Sequence, residues 1–280
     1  MTIVLILGVS LMLSMLMMLA WAVQRRLGNA GWVDVVWSFA LGLAGVIYAL
    51  VPAPAIAWPG PRQILVAALV AIWSMRLGFH LLARTRNGPE DVRYAAFRQQ
   101  WGAGFERRLF WFLQIQAAAA ALLAISMLLA VRNPRPLGVM DAVALAVLGV
   151  AIVGEAVADR QMRRFRAEAA NHGKVCDTGL WRLSRHPNYF FEWLGWVSYP
   201  LFAIGSGGAV GWLAFSGPAF MYWLLVHVSG IPPLEERMLH SRGEAYRAYQ
   251  ARTRAFLPLP VSSLPDSRSP DSPPPDSREP

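Results

Sequence analysis

Seven apolar stretches of about the same length dominate this chain, at 2–23, 32–51, 63–83, 109–131, 138–158, 189–206 and 209–229. A helix needs about 20 apolar residues to cross the hydrocarbon of a bilayer. In that medium only helices and closed barrels satisfy every backbone N–H and C=O. The pattern predicts an all-α fold: a polytopic membrane bundle of about seven transmembrane helices. Composition agrees, since 55% of the 280 residues are hydrophobic and 15% are charged, against about 25% charged in soluble domains. The first stretch exceeds the roughly 7–15 apolar residues of a signal peptide and has no basic residue before it. It reads as a retained span. The GSGG at 205–208 suits a tight helical hairpin between the last two stretches, because glycine supplies left-handed turns.

The connecting segments alternate between arginine-rich and arginine-poor. Arg25 and Arg26 follow the first stretch, while PAPAIAWPGP after the second carries no charge. The next connection holds Arg84, Arg86, Arg93, Arg98, Arg107 and Arg108, and the one after it only Arg132 and Arg135. By the positive-inside rule the N-terminus is expected outside and the C-terminus in the cytoplasm. The net charge of +9 therefore belongs to membrane topology and not to nucleic-acid binding. Lys174 is the sole lysine and Cys176 the sole cysteine, which rules out an internal disulfide or a cysteine metal cluster. The histidines lack the H-E-x-x-H spacing, so no metal site is expected. We divide the chain into an N-terminal transmembrane half (1–131), a second membrane domain (132–260) and a Pro/Asp/Ser-rich tail (261–280) expected to be disordered.

Polar residues concentrate in two segments of the second domain. In SRHPNYFFEW, Pro187 is suited to a first helical turn, so a helix should begin near His186. Its free N–H groups, with Arg182 and Arg185 just before it, would favour an anion. Asn188 and Glu192 share a helical face, where they either handle a ligand or satisfy each other and cap the helix. In PPLEERMLHSRGEAYRAYQARTRAFLP, Glu235 and Glu236 open a new helix, and Arg242, Tyr246 and Tyr249 recur at helical spacing on one face. An amphipathic surface helix would account for the tyrosines and arginines, but an anionic membrane surface would repel the two glutamates.

These two segments, together with WVDVVWSF (32–39) and MRLGFHLLARTRNGPEDVRYAAFRQQWG (75–102), resemble the C-terminal domain of the steroid 5-alpha-reductase group. The nearest likeness is its bacterial branch, the domain-of-unknown-function 1295 proteins. The R-H-P-x-Y plus E-E-x-x-L architecture is shared with sterol reductases and isoprenylcysteine carboxyl methyltransferases. The resemblance covers most of 30–260. It implies an NADPH pocket open to the cytoplasm and a lipophilic substrate entering from the bilayer. Arg182, Arg185, His186, Asn188, Tyr189 and Glu192 would line the cofactor, and Glu235, Glu236, Tyr246, Tyr249 and Arg252 would close the pocket from the C-terminal side. The reductases' N-Y-F-G-E appears here as N-Y-F-F-E, with Phe191 in place of glycine, which puts close backbone approach at that point in question.

Arginines beside a helix N-terminus suit a pyrophosphate, and one more would suit a 2′-phosphate. No G-x-G-x-x-G follows a strand, so a nucleotide site would be non-Rossmann. Reduction of a conjugated enone also needs a proton donor near the carbonyl oxygen. Tyr94, then His80, with Asp91 as the supporting carboxylate, are the candidates; Arg76 shares a helical face with His80. Against this, Asp91–Arg93 also reads as an exposed ion pair and His80 as a packed interfacial residue. The expected function is an NADPH-dependent membrane reductase of a carbon–carbon double bond in a steroid-, isoprenoid- or fatty-acyl-like substrate. The alternatives are an S-adenosylmethionine-dependent methyltransferase of a lipid or prenylated carboxylate, and a non-catalytic membrane protein with a degenerate pocket. The expected location is the bacterial inner membrane, with lipid and no nucleic acid as partners.

Overall fold

The computed structural model describes residues 1–52, 59–204 and 209–259, and the regular elements among them are all helical. The α-helices are α1 (Thr2–Leu27), α2 (Trp32–Leu50), α3 (Pro61–Asn87), α4 (Val92–Trp101), α5 (Phe105–Val131), α6 (Val139–Ala167), α7 (Pro187–Ala203), α8 (Ser216–Trp223), α9 (Ile231–Arg242) and α10 (Glu244–Arg252). Six helical runs are long and apolar enough to cross a membrane: α1, α2, α3, the run Val92–Val131, α6 and the run Val210–Arg242. The chain is an integral membrane protein.

The sixth expected span, 189–206, is displaced toward the N-terminus and one residue shorter than the sequence suggested. Pro187 fixes its start, and at Ile204 the backbone leaves the helical region (ψ 135°), leaving 17 residues in α7, about 25 Å of helix. The expected span at 209–229 is not one regular helix either. A 3₁₀ segment (Ala209–Phe215) leads into α8, and a wide π turn (Leu224–Val228) follows it. The turn at 205–208 and the tail at 261–280 lie outside the described residues.

Helix α5 is central, packing on α1, α2, α3, α7 and α8, while α2 pairs closely with α3 and α6 with α7. Lipid tails provide no hydrophobic drive between helices, so contact depends on small residues that let backbones approach. At Gly42 on α2 an added Cβ would fall 2.1 Å from Ser74 Oγ on α3. That hydroxyl instead donates to the Ser38 carbonyl at 3.0 Å. Leu41, Leu109, Leu113, Leu123, Met127, Trp196 and Phe202 are fully buried between helices, whereas Ile3, Leu7, Ile72, Val150 and Val153 point outward, as a lipid-facing surface requires.

The two ends of the bundle differ. At one end a single buried clamp joins three connections. Arg62 is bidentate to Asp141 (2.7 and 2.8 Å) and donates to the carbonyls of Asn133 and Arg135 at 2.8 and 2.6 Å. Asn133 in turn donates to the carbonyl of Phe202 at 2.9 Å. At the other end Glu90 accepts from the Ala30 amide at 2.9 Å, and Gln24 donates to Glu106 at 2.8 Å. The arginine-rich connections and almost all candidate residues gather at this second end.

Candidate functional site

Between α3 and α4 the chain turns through Gly88–Pro89, and Asp91 caps α4 by accepting the Arg93 amide at 3.0 Å. The cap places Arg93 and Tyr94 against α2. There Asp34 accepts from the Tyr94 hydroxyl at 2.8 Å and pairs with Arg93, whose Nε lies 2.9 Å from Asp91 Oδ1. Arg84 closes the knot on Asp91 from α3. Burial of Asp91 favours its neutral form, but Arg93 and Arg84 together outweigh this and hold the carboxyl below its ordinary range. Asp91–Arg93 is thus part of a half-buried five-residue knot and not an isolated exposed pair.

Deeper in the bundle a second cluster joins α3, α6 and α7. Arg76 pairs with Glu155 and lies 3.3 Å from Asp159 Oδ2. His80 approaches Asp159 at 3.7 Å through Nε2 and receives Arg163 on Nδ1 at 3.1 Å. A guanidinium can only donate, so Nδ1 is the acceptor and the imidazole proton sits on Nε2, facing Asp159. Glu192 accepts the indole N–H groups of Trp73 and Trp196 at 2.9 and 3.0 Å. It is also in electrostatic range of Arg76 and Glu155. Glu192 and Asn188 therefore do not satisfy each other; the Asn188 side chain is half-buried and makes no hydrogen bond among the described residues. Three carboxylates around one guanidinium inside a bundle favour a cationic group, because like charges repel strongly at low dielectric.

The third group ties the entry of α7 to α9 and α10. Helix α7 begins at Pro187 with His186 as its cap, as its sequence predicts. Arg185 is bidentate to Glu235 (2.7 and 3.0 Å), and its remaining nitrogen donates to the carbonyls of Gln250 and Thr253. His186 Nε2 is 3.2 Å from Glu235 Oε1, and Gln250 donates to Glu235 Oε2 at 3.0 Å. Tyr249 donates to the Trp181 carbonyl, and Tyr246 lies in electrostatic range of Glu235 and Arg185. Burial lowers the His186 pKa against the opposing pull of Glu235. Each Arg185 nitrogen has a protein acceptor, so this arginine joins elements and is committed to the protein. Arg242, Tyr246 and Tyr249 do not share one helix face. Gly243, with φ of +53°, separates α9 from α10, a conformation that favours glycine.

Tyr189 links these groups. Its ring stacks on His186 (centroids 5.7 Å, 13° between planes). It lies in electrostatic range of Arg93, Asp91, Arg84 and Asp34, and its hydroxyl has no hydrogen-bond partner among the described residues. The remaining candidates stand apart. Arg182 and Glu236 are exposed and unpaired among the described residues, and Arg252 is exposed and pairs with Asp177. Phe191 meets a glycine after all, on the neighbouring helix: a Cβ at Gly154 of α6 would fall 2.4 Å from its ring. Its bulk is received by α6.

A fourth feature, absent from the expected set, is cationic. Arg166, at the end of α6, lies in electrostatic range of Arg84, Arg237 and Arg242, and no carboxylate pairs with Arg166, Arg237 or Arg242 among the described residues. These arginines come from α3, α6 and α9, so linear spacing gives no sign that they converge. Arg76, Glu155 and Asp159 were legible in part. Their four-residue spacings with His80 and with each other mark shared faces, but only packing shows that the two faces meet.

The family described as "Protein of unknown function (DUF1295)" matches residues 20–253. A Schizosaccharomyces pombe protein described as "Uncharacterized protein C594.04c" is 32% identical over 228 residues, covering 70% of this chain and 63% of the relative. The chain thus spans less than two thirds of that relative's length. No solved structure matches.

Proposed function

The chain belongs to the DUF1295 family, and on that premise we propose that it is an NADPH-dependent membrane reductase of a carbon–carbon double bond in a lipophilic substrate. The arginine-rich end faces the cytoplasm in this reading, by the positive-inside rule. The observation that carries it is the uncompensated group around Arg166. Arg166, Arg237 and Arg242 have no carboxylate partner among the described residues, while Arg84 beside them is paired with Asp91; unpaired like charges invite an anion, and arginine's planar fork suits phosphate oxygens. NADPH offers a pyrophosphate and a 2′-phosphate to that group, and when bound it supplies the hydride. Arg84 links that group to the Asp34–Arg93–Tyr94 knot beside Tyr189, and in this reading the reacting end and the lipophilic substrate would meet there. Tyr189 is the better placed of the two tyrosines to polarise a substrate carbonyl oxygen. Its hydroxyl has no partner among the described residues, whereas Tyr94 is 2% exposed and committed to Asp34.

A second reading rests on the deeper cluster. Three carboxylates against one guanidinium would also suit a sulfonium, and hence S-adenosylmethionine in a lipid methyltransferase. That cofactor has no phosphate to offer the Arg166 group. Thermal unfolding of the purified protein in mild detergent with NADPH, NADH and S-adenosylmethionine separates the readings. A ligand at 100 times its Kd adds about 2.7 kcal/mol to the folded state. Stabilisation by NADPH that Arg166→Ala removes is the expected result. Stabilisation by S-adenosylmethionine alone would overturn the reductase reading.

A further inference from the structure

On the outward side of α4 and α5 lies an open groove of about 510 Å³, lined by Trp101, Arg107, Arg108, Trp111, Phe112 and Ile115. Its two ends differ in chemistry. Arg107 and Arg108 are exposed at the start of α5, and no carboxylate pairs with either among the described residues. Their neighbours differ in this respect: Arg84, Arg93 and Arg98 each have an acidic partner. Glu106, directly before Arg107 in sequence, is engaged by Gln24 and Arg25 on α1 (2.8 and 3.6 Å).

From Arg108 the groove runs along one face of α5 through Trp111, Phe112 and Ile115, about 10 Å of helix, from the charged end toward the apolar middle. Trp111 and Ile115 are 63% and 67% exposed. Phe112 and Trp101 are held by Phe97, which stacks on Trp101 at 4.6 Å and meets Phe112 edge-on at 5.3 Å. The indole N–H groups of Trp101 and Trp111 have no acceptor among the described residues.

We propose that this groove is a binding site for one anionic phospholipid, with its phosphate on Arg107 and Arg108 and an acyl chain along Trp111, Phe112 and Ile115. The charge at the mouth selects an anionic headgroup, and the apolar stripe selects a molecule with a chain attached. The site is separate from the proposed cofactor cleft and does not depend on it.

Native mass spectrometry of the delipidated protein, given equal amounts of phosphatidylglycerol and phosphatidylcholine with matched chains, tests the proposal. Phosphatidylglycerol should be retained over phosphatidylcholine by on the order of tenfold, as two arginines near a headgroup would give. The double substitution Arg107→Ala, Arg108→Ala should bring that ratio near one. Trp111→Ala should weaken retention of phosphatidylglycerol. Because these side chains are exposed, melting temperatures in phosphatidylcholine should be unchanged and will report any misfolding. Equal retention by the wild type overturns the proposal. So does an equal loss in Arg160→Ala, Arg164→Ala, which removes the same charge elsewhere. Displacement of the lipid by glycerol phosphate, with no effect of Trp111→Ala, would mark a free-phosphate site and overturn it too.

Discussion

Two tyrosines facing one polar knot are set apart by what their hydroxyls touch. Tyr94 donates to Asp34 at 2.8 Å, and Tyr189 has no partner among the described residues. A hydrogen bond to a charged group contributes about 1.5–3 kcal/mol. Tyr94→Phe should therefore lower stability by about that much. Tyr189→Phe should leave it within about 0.5 kcal/mol yet lower turnover once a substrate is in hand. Parallel melting curves and rate assays check both. His186 gives a pH dependence of definite sign. Burial depresses its pKa from the ordinary 6.5, so the unfolded chain binds the proton more readily. Its share of stability is complete above about 6.5 and is lost as pH falls through the lower folded value. Melting curves between pH 7.5 and 5 should show His186→Gln losing less stability on acidification than the wild type.

Among the elements, ion pairs of similar appearance differ in worth because their surroundings differ. The Arg62–Asp141 side chains are 6% and 9% exposed and hold together the starts of α3 and α6. Removing either partner leaves a buried charge alone, at a cost of about 3–5 kcal/mol. Arg252–Asp177, at 59% and 40% exposed, should contribute about 0–1 kcal/mol. Denaturation of Asp141→Ala and Asp177→Ala in the same detergent should separate the two by that margin. Helix boundaries follow the same local logic. Proline sets the start of α7, and a glycine in left-handed geometry divides α9 from α10. The proline was readable beforehand. Gly243 sits inside an amphipathic pattern that continues across it, and this is why one helix was expected where two exist.

For the whole molecule, the orientation drawn from loop charges has a direct test. In a Cys176→Ser background, a single cysteine at His172, which is exposed, should react with a membrane-impermeant maleimide only from the cytoplasmic side. One at Leu137, 47% exposed at the opposite end, should react only from outside. The all-α membrane class was determined by the sequence alone, because the length of an apolar run and the spacing of arginines act locally and need no partner. The start of α7, the cap at Asp91 and the shared faces of Arg76 with His80 and of Glu155 with Asp159 were fixed in the same way, by neighbours within one turn. Tertiary structure alone decided which faces meet. It brought Asp34 to Tyr94, set Glu192 between two tryptophans, bound Arg185 to Glu235, and gathered Arg84, Arg237 and Arg242 around Arg166. Those meetings join residues tens of positions apart, and helix packing, which no linear spacing encodes, determines whether a charged side chain finds its counter-charge or is left for a ligand.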